Sequence, residues 1–243
     1  MEQFFKNLGE SFYNNLIYQD RWLQLLEGLG LTLLIALFAT LLGLFLGFLV
    51  AVVRSSYDMN IKGKHKKGFG VFLIKFLNVI CNIYITVIRG TPVLIQVMIM
   101  YFIIFGEAQN GTLAAILSFG INSGAYVAEI VRSGIMSIDK GQFEASRSIG
   151  FNYSSTMIHI ILPQALKNVL PALGNEFIVL LKETSVAGYA ATHELTYVGN
   201  LIRSRTYEAF FPLISVAVIY LVIVIILSWL LKVFERRLRN SDH

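Results

Sequence analysis

The 243-residue sequence is poor in charge: Asp, Glu, Lys and Arg make up 14% of it, against about 25% in ordinary soluble domains. Beside 56% hydrophobic residues, so little charge cannot cover one water-soluble core, and the natural solvent is a bilayer. Cysteine is almost absent. Cys81 stands alone, which excludes an internal disulfide and, in an apolar run, reads as a small packing residue. No Gly-x-x-x-x-Gly-Lys-[Ser/Thr] stretch exists, so the sequence carries no phosphate loop and no nucleotide site of its own. His159 and His193 lack metal-ligand spacing, and no nucleophile–base–orienter set is found, so no metal site and no catalytic residue is assigned. There is no visible repeat and no segment long enough for a second soluble domain.

What is present is hydrophobic length. A membrane helix needs about 20 mostly apolar residues, and five stretches qualify: about 22–53, 69–105, 113–136, 164–191 and 211–234. The second is too long for one simple span. It carries Lys75, Asn78, Asn82 and Arg89 before a Gly90-Thr91-Pro92 break. Its first part reads as interfacial or tilted, and Val93 to Phe105 as deeper in the membrane. Residues 1–20 lack a compact apolar stretch and a cleavage site, so the first apolar run is expected to stay as a helix rather than leave as a signal. The expectation is an all-α integral membrane protein, with an extracytoplasmic segment 1–21, a membrane domain 22–238, a loop 137–163 and a tail 239–243. Tyr18, Trp22, Tyr207 and Trp229 suit the interfaces, and Gly43 and Gly47 suit close helix contact.

The net charge of +5 raises nucleic acid as a partner, but the basic residues sit in short loops between apolar runs, which marks orientation instead. Arg54, Lys62, Lys64, Lys66 and Lys67 follow the first span. Arg132, Lys140, Arg147 and Lys167 surround the 137–163 loop, and Lys232, Arg236, Arg237 and Arg239 end the chain. The Gly106–Gly111 connection has no Lys or Arg, and the loop before the fifth span has only Arg203 and Arg205. The N-terminus is therefore expected outside, and the 137–163 loop and C-terminus inside. The basic 59–67 loop receives no role beyond topology.

The 137–163 loop carries the most specific pattern. Glu144-Ala145-Ser146 is followed after three residues by Gly150 and, after nine further residues, by Ile160-Ile161-Leu162-Pro163. Gln142 to Ile149 reads as a short helix, Gly150 as the turn that ends it, and Pro163 as the start of the next helix. This spacing resembles the coupling motif of the membrane subunits of ABC-type importers, with Ser146 in place of the usual second alanine. Further stretches extend the likeness: Arg89-Gly90-Thr91-Pro92, Asn122 to Ile130, Lys140-Gly141-Gln142, Leu173-Gly174-Asn175 and Lys182-Glu183-Thr184-Ser185. Over about 23–238 the chain resembles permeases of the polar amino acid uptake group.

The resemblance implies a type I (MetI-like) importer fold in a bacterial plasma membrane, and a partner set. Two copies of an ABC ATPase bind ATP and Mg, so this chain itself needs no cofactor. A second permease subunit, identical or similar, completes the pathway. An extracytoplasmic binding protein delivers glutamine or a basic amino acid such as arginine, lysine or histidine, touching His193–Tyr207 and Gly106–Asn110. Gln142, Glu144, Ala145, Ser146, Arg147, Gly150 and Pro163 then form the ATPase-coupling loop, with Ala145 and Ser146 small enough for close approach. The alternative is an ATP-independent secondary amino acid transporter.

Polar residues inside the spans are candidates for a substrate pathway, because an ionisable group in hydrocarbon faces protein or water. Asn122, Tyr126 and Glu129 lie at helical spacing on one face. Asn122 and Ser123 can donate to a carboxylate, Tyr126 can pack on an aliphatic stem and Glu129 can accept an ammonium. Helix–helix hydrogen bonding is the competing reading of the same residues. Lys182, Glu183 and Thr184 interrupt the fourth span as a gate, a substrate wall or a neutralised pair. Arg89 either anchors at the inner interface or binds in the pathway, and Glu176 is a weaker candidate.

Overall fold

In hydrocarbon every backbone polar group must find its partner within the protein, so long apolar runs fold as helices. The structure is a computed structural model that describes residues 2–63, 68–106 and 110–240, and no strand occurs among the described residues. Lys64, Lys66 and Lys67 of the basic loop, part of the 106–111 connection and the last three residues lie outside them. In chain order the helices are α1 (Glu2–Phe12), α2 (Arg21–Asn60), α3 (Phe69–Gly90), α4 (Val93–Ile99), α5 (Gly111–Met136), α6 (Lys140–Ser148), α7 (Tyr153–Thr156), α8 (Leu162–Glu183), α9 (Leu195–Thr206) and α10 (Phe210–Asn240).

Four helices are long and apolar enough to cross a membrane: the Lys6–Met59 stretch that contains α2, then Phe69–Gly90, Gly111–Met136 and Phe210–Arg237. The expected 69–105 segment divides in two. Pro92 forces the residue before it out of the helical region, and Thr91 is extended at φ −120°, ψ 143°. Phe69–Gly90 thus has spanning length by itself, whereas the apolar Val93–Ile104 stretch does not. The expected fourth span also ends early. α8 stops at Glu183, a 3-10 turn follows over Thr184–Ala190, and Ala191 closes it in the left-handed region. α8 has 22 residues, but Lys167, Asn168, Asn175, Glu176, Lys182 and Glu183 dilute its apolar character. Burial separates the spans. Of the most apolar stretch in each, 67% is buried in α5 but only 11% in α10. α5 is an internal helix, and the exposed Leu, Ile and Phe of α10 suit lipid.

The chain forms two compact units: Met1–Ala39 with Val93–Phe119 and Ile178–Leu230, and Thr40–Pro92 with Gly120–Phe177 and Leu231–His243. In the first, Leu25, Leu195, Val198, Ile202 and Val216 form a buried cluster. α9 is tied to α2 there, since the Leu195 N–H donates to Thr32 Oγ1 at 3.1 Å. α1 and the turn after it are held by Glu208, which accepts from Ser11 Oγ at 2.9 Å and from Asn15 Nδ2. In the second unit, α2 and α5 meet at the two glycines singled out above. A Cβ on Gly43 would sit 2.9 Å from Ser123 Cβ, and one on Gly47 would sit 2.5 Å from Val127 Cβ. A core of Ala51, Val127, Val131, Ile135, Ile161, Ala165 and Val169 lies beyond them.

Candidate functional site

The second unit carries both candidate regions. The first is the hairpin α6–α7. Asp139 caps α6, accepting from the Gly141 N–H at 2.6 Å, so the helix starts two residues before the expected Gln142. Its far end is stopped by two reciprocal bonds: the Phe151 N–H donates to Ser146 O and the Gly150 N–H to Arg147 O, both at 3.1 Å. This closure requires Gly150 at φ +95°, the role expected of it. Arg147 Nη1 braces the turn from outside, donating to Phe151 O at 2.7 Å. Asn152 then caps α7 through the Ser155 N–H at 2.8 Å.

The hairpin has an inner and an outer face. Phe143 packs against the core and meets the Tyr153 ring edge-on at 5.8 Å. Ser146 was expected on the partner-facing side. Instead it is buried, donates to Phe143 O at 2.8 Å and lies 3.1 Å from Thr156 Oγ1. A small residue is needed there to bring α6 onto α7, not to admit a partner. Gln142, Glu144, Ala145, Arg147 and Gly150 are exposed, and Ile149 is 73% exposed. Pro163 is the second residue of α8, in the first helical turn as expected. It follows the wide turn Met157–Ile161, which connects α7 directly to α8. Proline cannot donate to the carbonyl one turn back, and such wide turns relieve that misfit.

The second region is a cavity of about 530 Å³ lined by Arg89, Tyr126, Glu129, Arg132, Ser133, Ser137 and Asn168, among others. It brings together three of the predicted pathway residues, Arg89, Tyr126 and Glu129. The Arg89 guanidinium carbon lies 5.0 Å from the Tyr126 ring centre. Glu129 is held by Arg132 at 3.0 Å and by Arg54 at 3.7 Å, and Arg132 also pairs with Asp58 at 3.1 Å. Asp58 reaches Lys62 at 3.7 Å. The ammonium-accepting role expected of Glu129 therefore meets a carboxylate already occupied by two guanidinium groups. The spacing placed Tyr126 and Glu129 on one face; it held no sign of the Arg54 and Arg132 partners, which come from another helix and from the next turn.

The other predicted pathway residues do not line this cavity. Asn122 and Ser123 are buried, and Ser123 Oγ donates to Glu176 Oε1 at 3.0 Å, so Ser123 joins α5 to α8. Lys182, Glu183 and Thr184 belong to the first unit. Lys182 is exposed, Glu183 half-buried, and no ion pair joins them among the described residues. Thr184 is buried, with Oγ1 donating to Leu181 O at 2.7 Å.

One residue escaped the sequence reading. Glu194 is fully buried in the first unit and caps α9, accepting from the Thr196 and Tyr197 N–H groups at 2.7 Å each. Tyr220 Oη lies 3.4 Å away. Burial outweighs these bonds and pushes the carboxyl up to about 7. A cavity of about 380 Å³ adjoins it, lined by Ser185, Tyr189 and Asn200 among others. An acid just before a helix is the available signal.

A largely buried α5 beside exposed apolar helices of membrane-spanning length, with a capped surface hairpin, defines a multi-pass membrane protein. Residues 68–240 match the family described as the binding-protein-dependent transport system inner membrane component, and the chain belongs to this family. It is 34% identical over 224 residues to the putative glutamine transport system permease protein GlnP of Rickettsia prowazekii, covering 91% of this chain and 95% of the relative. It is 36% identical to the arginine transport system permease protein ArtQ of Bacillus subtilis, covering 90% and 94%. It is also 36% identical to the glutamine transport system permease protein GlnP of Escherichia coli K12, covering 88% and 93%. The crystal structure of an amino acid ABC transporter with histidines superposes with a TM-score of 0.77 at 39% identity, covering 88% of this chain and 94% of that one. The MetNI methionine ABC transporter, at 20% identity and a TM-score of 0.74, shares the fold. The all-helical importer-type fold expected from the resemblance is the fold observed.

Proposed function

We propose that this permease takes up polar amino acids, glutamine or a basic amino acid, as the membrane half of an ATP-driven importer in a bacterial plasma membrane. The relatives named for glutamine and arginine transport support the substrate class. The observation that carries the coupling is the α6–α7 hairpin. It is capped at both ends and anchored by Phe143 and Ser146, yet it presents Gln142, Glu144, Ala145, Arg147 and Ile149 outward. A short rigid lever with an exposed polar face transmits force from a partner into the helices that anchor it. In this reading two copies of a separate ABC ATPase bind ATP and Mg and grip these hairpins. Their closure and reopening alternate the access of the pathway, and an extracytoplasmic protein loads it. A second permease subunit, identical or similar, completes the assembly. The cavity of Arg89, Tyr126 and Glu129 lies on the substrate route, and Ser123 and Glu176 hold two of its helices together.

Affinity purification from the native membrane tests the proposal. An ATPase should co-purify, and Glu144→Lys should lower ATP-dependent uptake at least ~10-fold without lowering the amount of permease in the membrane. Uptake that persists without any ATPase, driven by an ion gradient, overturns it.

A further inference from the structure

The charges around the pathway cavity are unevenly matched. Among the described residues, Glu129 and Asp58 are ion-paired with Arg54, Arg132 and Lys62. Arg89 adds a further cation on the cavity wall, near enough to act on the Glu129 carboxylate, yet makes no direct ion pair among the described residues. It sits one residue from the end of α3, a helix of membrane-spanning length. An arginine in such a helix is costly unless it faces protein or a water-filled cavity, and such residues often mark substrate pathways. Its contact is with the Tyr126 ring, 5.0 Å from the guanidinium carbon. An aromatic ring engages the face of a guanidinium and leaves its edge N–H groups, the fork that grips a carboxylate, available.

We infer that Arg89, held against Tyr126, binds the α-carboxylate of the amino acid in this cavity, with Ser133 and Ser137 lining the same wall. The inference rests on the reading of the cavity as part of the substrate route. Glu129 then acts as a positioning residue that restrains Arg132, not as the ammonium acceptor. The assignment accounts for one feature of the relatives. Glutamine and arginine differ in side chain and share the α-ammonium and α-carboxylate, so a wall that reads the carboxylate serves both.

The test uses the full permease assembled with its ATPase in nanodiscs, with L-glutamine and L-arginine as probes beside their α-carboxamides. Binding is read by calorimetry and by protection of a Ser133→Cys thiol from maleimide. The unsubstituted protein should prefer each acid over its amide by about 10- to 100-fold, as expected for a charged hydrogen-bonded pair. Arg89→Gln should bind acid and amide alike, while Arg89→Lys keeps part of the preference. Unchanged amide affinity in Arg89→Gln shows that the cavity is intact. If Arg89→Gln binds both probes but retains the full preference for the acids, the role assigned to Arg89 is wrong. If the unsubstituted protein shows neither binding nor protection, the cavity is not on the substrate route, and the reading on which the inference stands falls with it.

Discussion

Two residues carry predictions of their own. Glu194 holds its proton more tightly in the fold than in an open chain, because burial raises its carboxyl from the ordinary 4.5 to about 7. The folded form therefore binds more protons than the unfolded form between those two values. Its advantage is complete below about pH 4.5 and is lost as pH rises through 7. The limiting size is about 3 kcal/mol. Hydrogen exchange at the Thr196 and Tyr197 amides should speed up from pH 5 to pH 8 beyond the intrinsic chemical increase, and Glu194→Gln should abolish that excess. An excess that survives the substitution would assign the titration to another group. The second residue is Arg132, the shared partner of Glu129 and Asp58. Arg132→Ala leaves both carboxylates with partners at 3.7 Å only. The three side chains are 13–25% exposed, so the expected loss is about 1–2 kcal/mol, between surface pairs and buried ones. Thermal unfolding of the double-mutant cycle with Asp58→Ala measures it, and a coupling of zero would show the pair to be incidental.

At the scale of an element, the hairpin shows what could be read from sequence and what could not. Its existence and its glycine stop followed from spacing, because a three-residue interval and a glycine are local facts, and the outward Glu144 followed from the resemblance to coupling loops. The burial of Ser146 did not, since it depends on Thr156 ten residues away, and sequence spacing does not show where α7 folds back. The same holds in the cavity: the face shared by Tyr126 and Glu129 was legible from helical spacing, whereas the Arg54–Glu129 and Arg132–Asp58 pairs join distant positions. Pro92 revealed its break because proline acts on its neighbour directly. The turn at Gly150 is testable at this scale. No atom lies within 4 Å of a Cβ placed there, so Gly150→Ala adds no clash and its cost is that of the backbone conformation, about 1–2 kcal/mol. Gly150→Asn should cost less, because asparagine enters the left-handed region more readily. Trypsin cleavage after Arg147 reads the difference: alanine should accelerate it several-fold and asparagine less. Equal rates in all three would show that the positive φ does not set the stability of this turn.

For the whole molecule, the number of crossings decides which side of the membrane meets which partner. Hydropathy and length find four spanning helices among the described residues, whereas the positive-residue bias and the coupling resemblance together predict a fifth crossing. We assign that crossing to α8, two of whose polar residues bond within the protein: Glu176 accepts from Ser123 and Asn168 donates to Ser137. A helix so engaged pays little for polarity and is missed by any measure that assumes lipid all round. Ser148 and Ser204 flank α8 and are both exposed, and the lone Cys81 makes a cysteine-free background a single substitution, Cys81→Ala. On that background, a membrane-impermeant maleimide should label Ser204→Cys in intact spheroplasts and spare Ser148→Cys, with the pattern reversed in inverted vesicles. Labelling of both positions from one side would leave α8 short of a full crossing and put the two chain ends on the same side. Reversed labelling would keep five crossings but turn the hairpin outward, away from any ATPase in the cytoplasm. The expected pattern would place Ser204, and with it the Glu194 cap at the start of α9, on the extracytoplasmic side, so that the pH that titrates Glu194 would be that of the extracytoplasmic space.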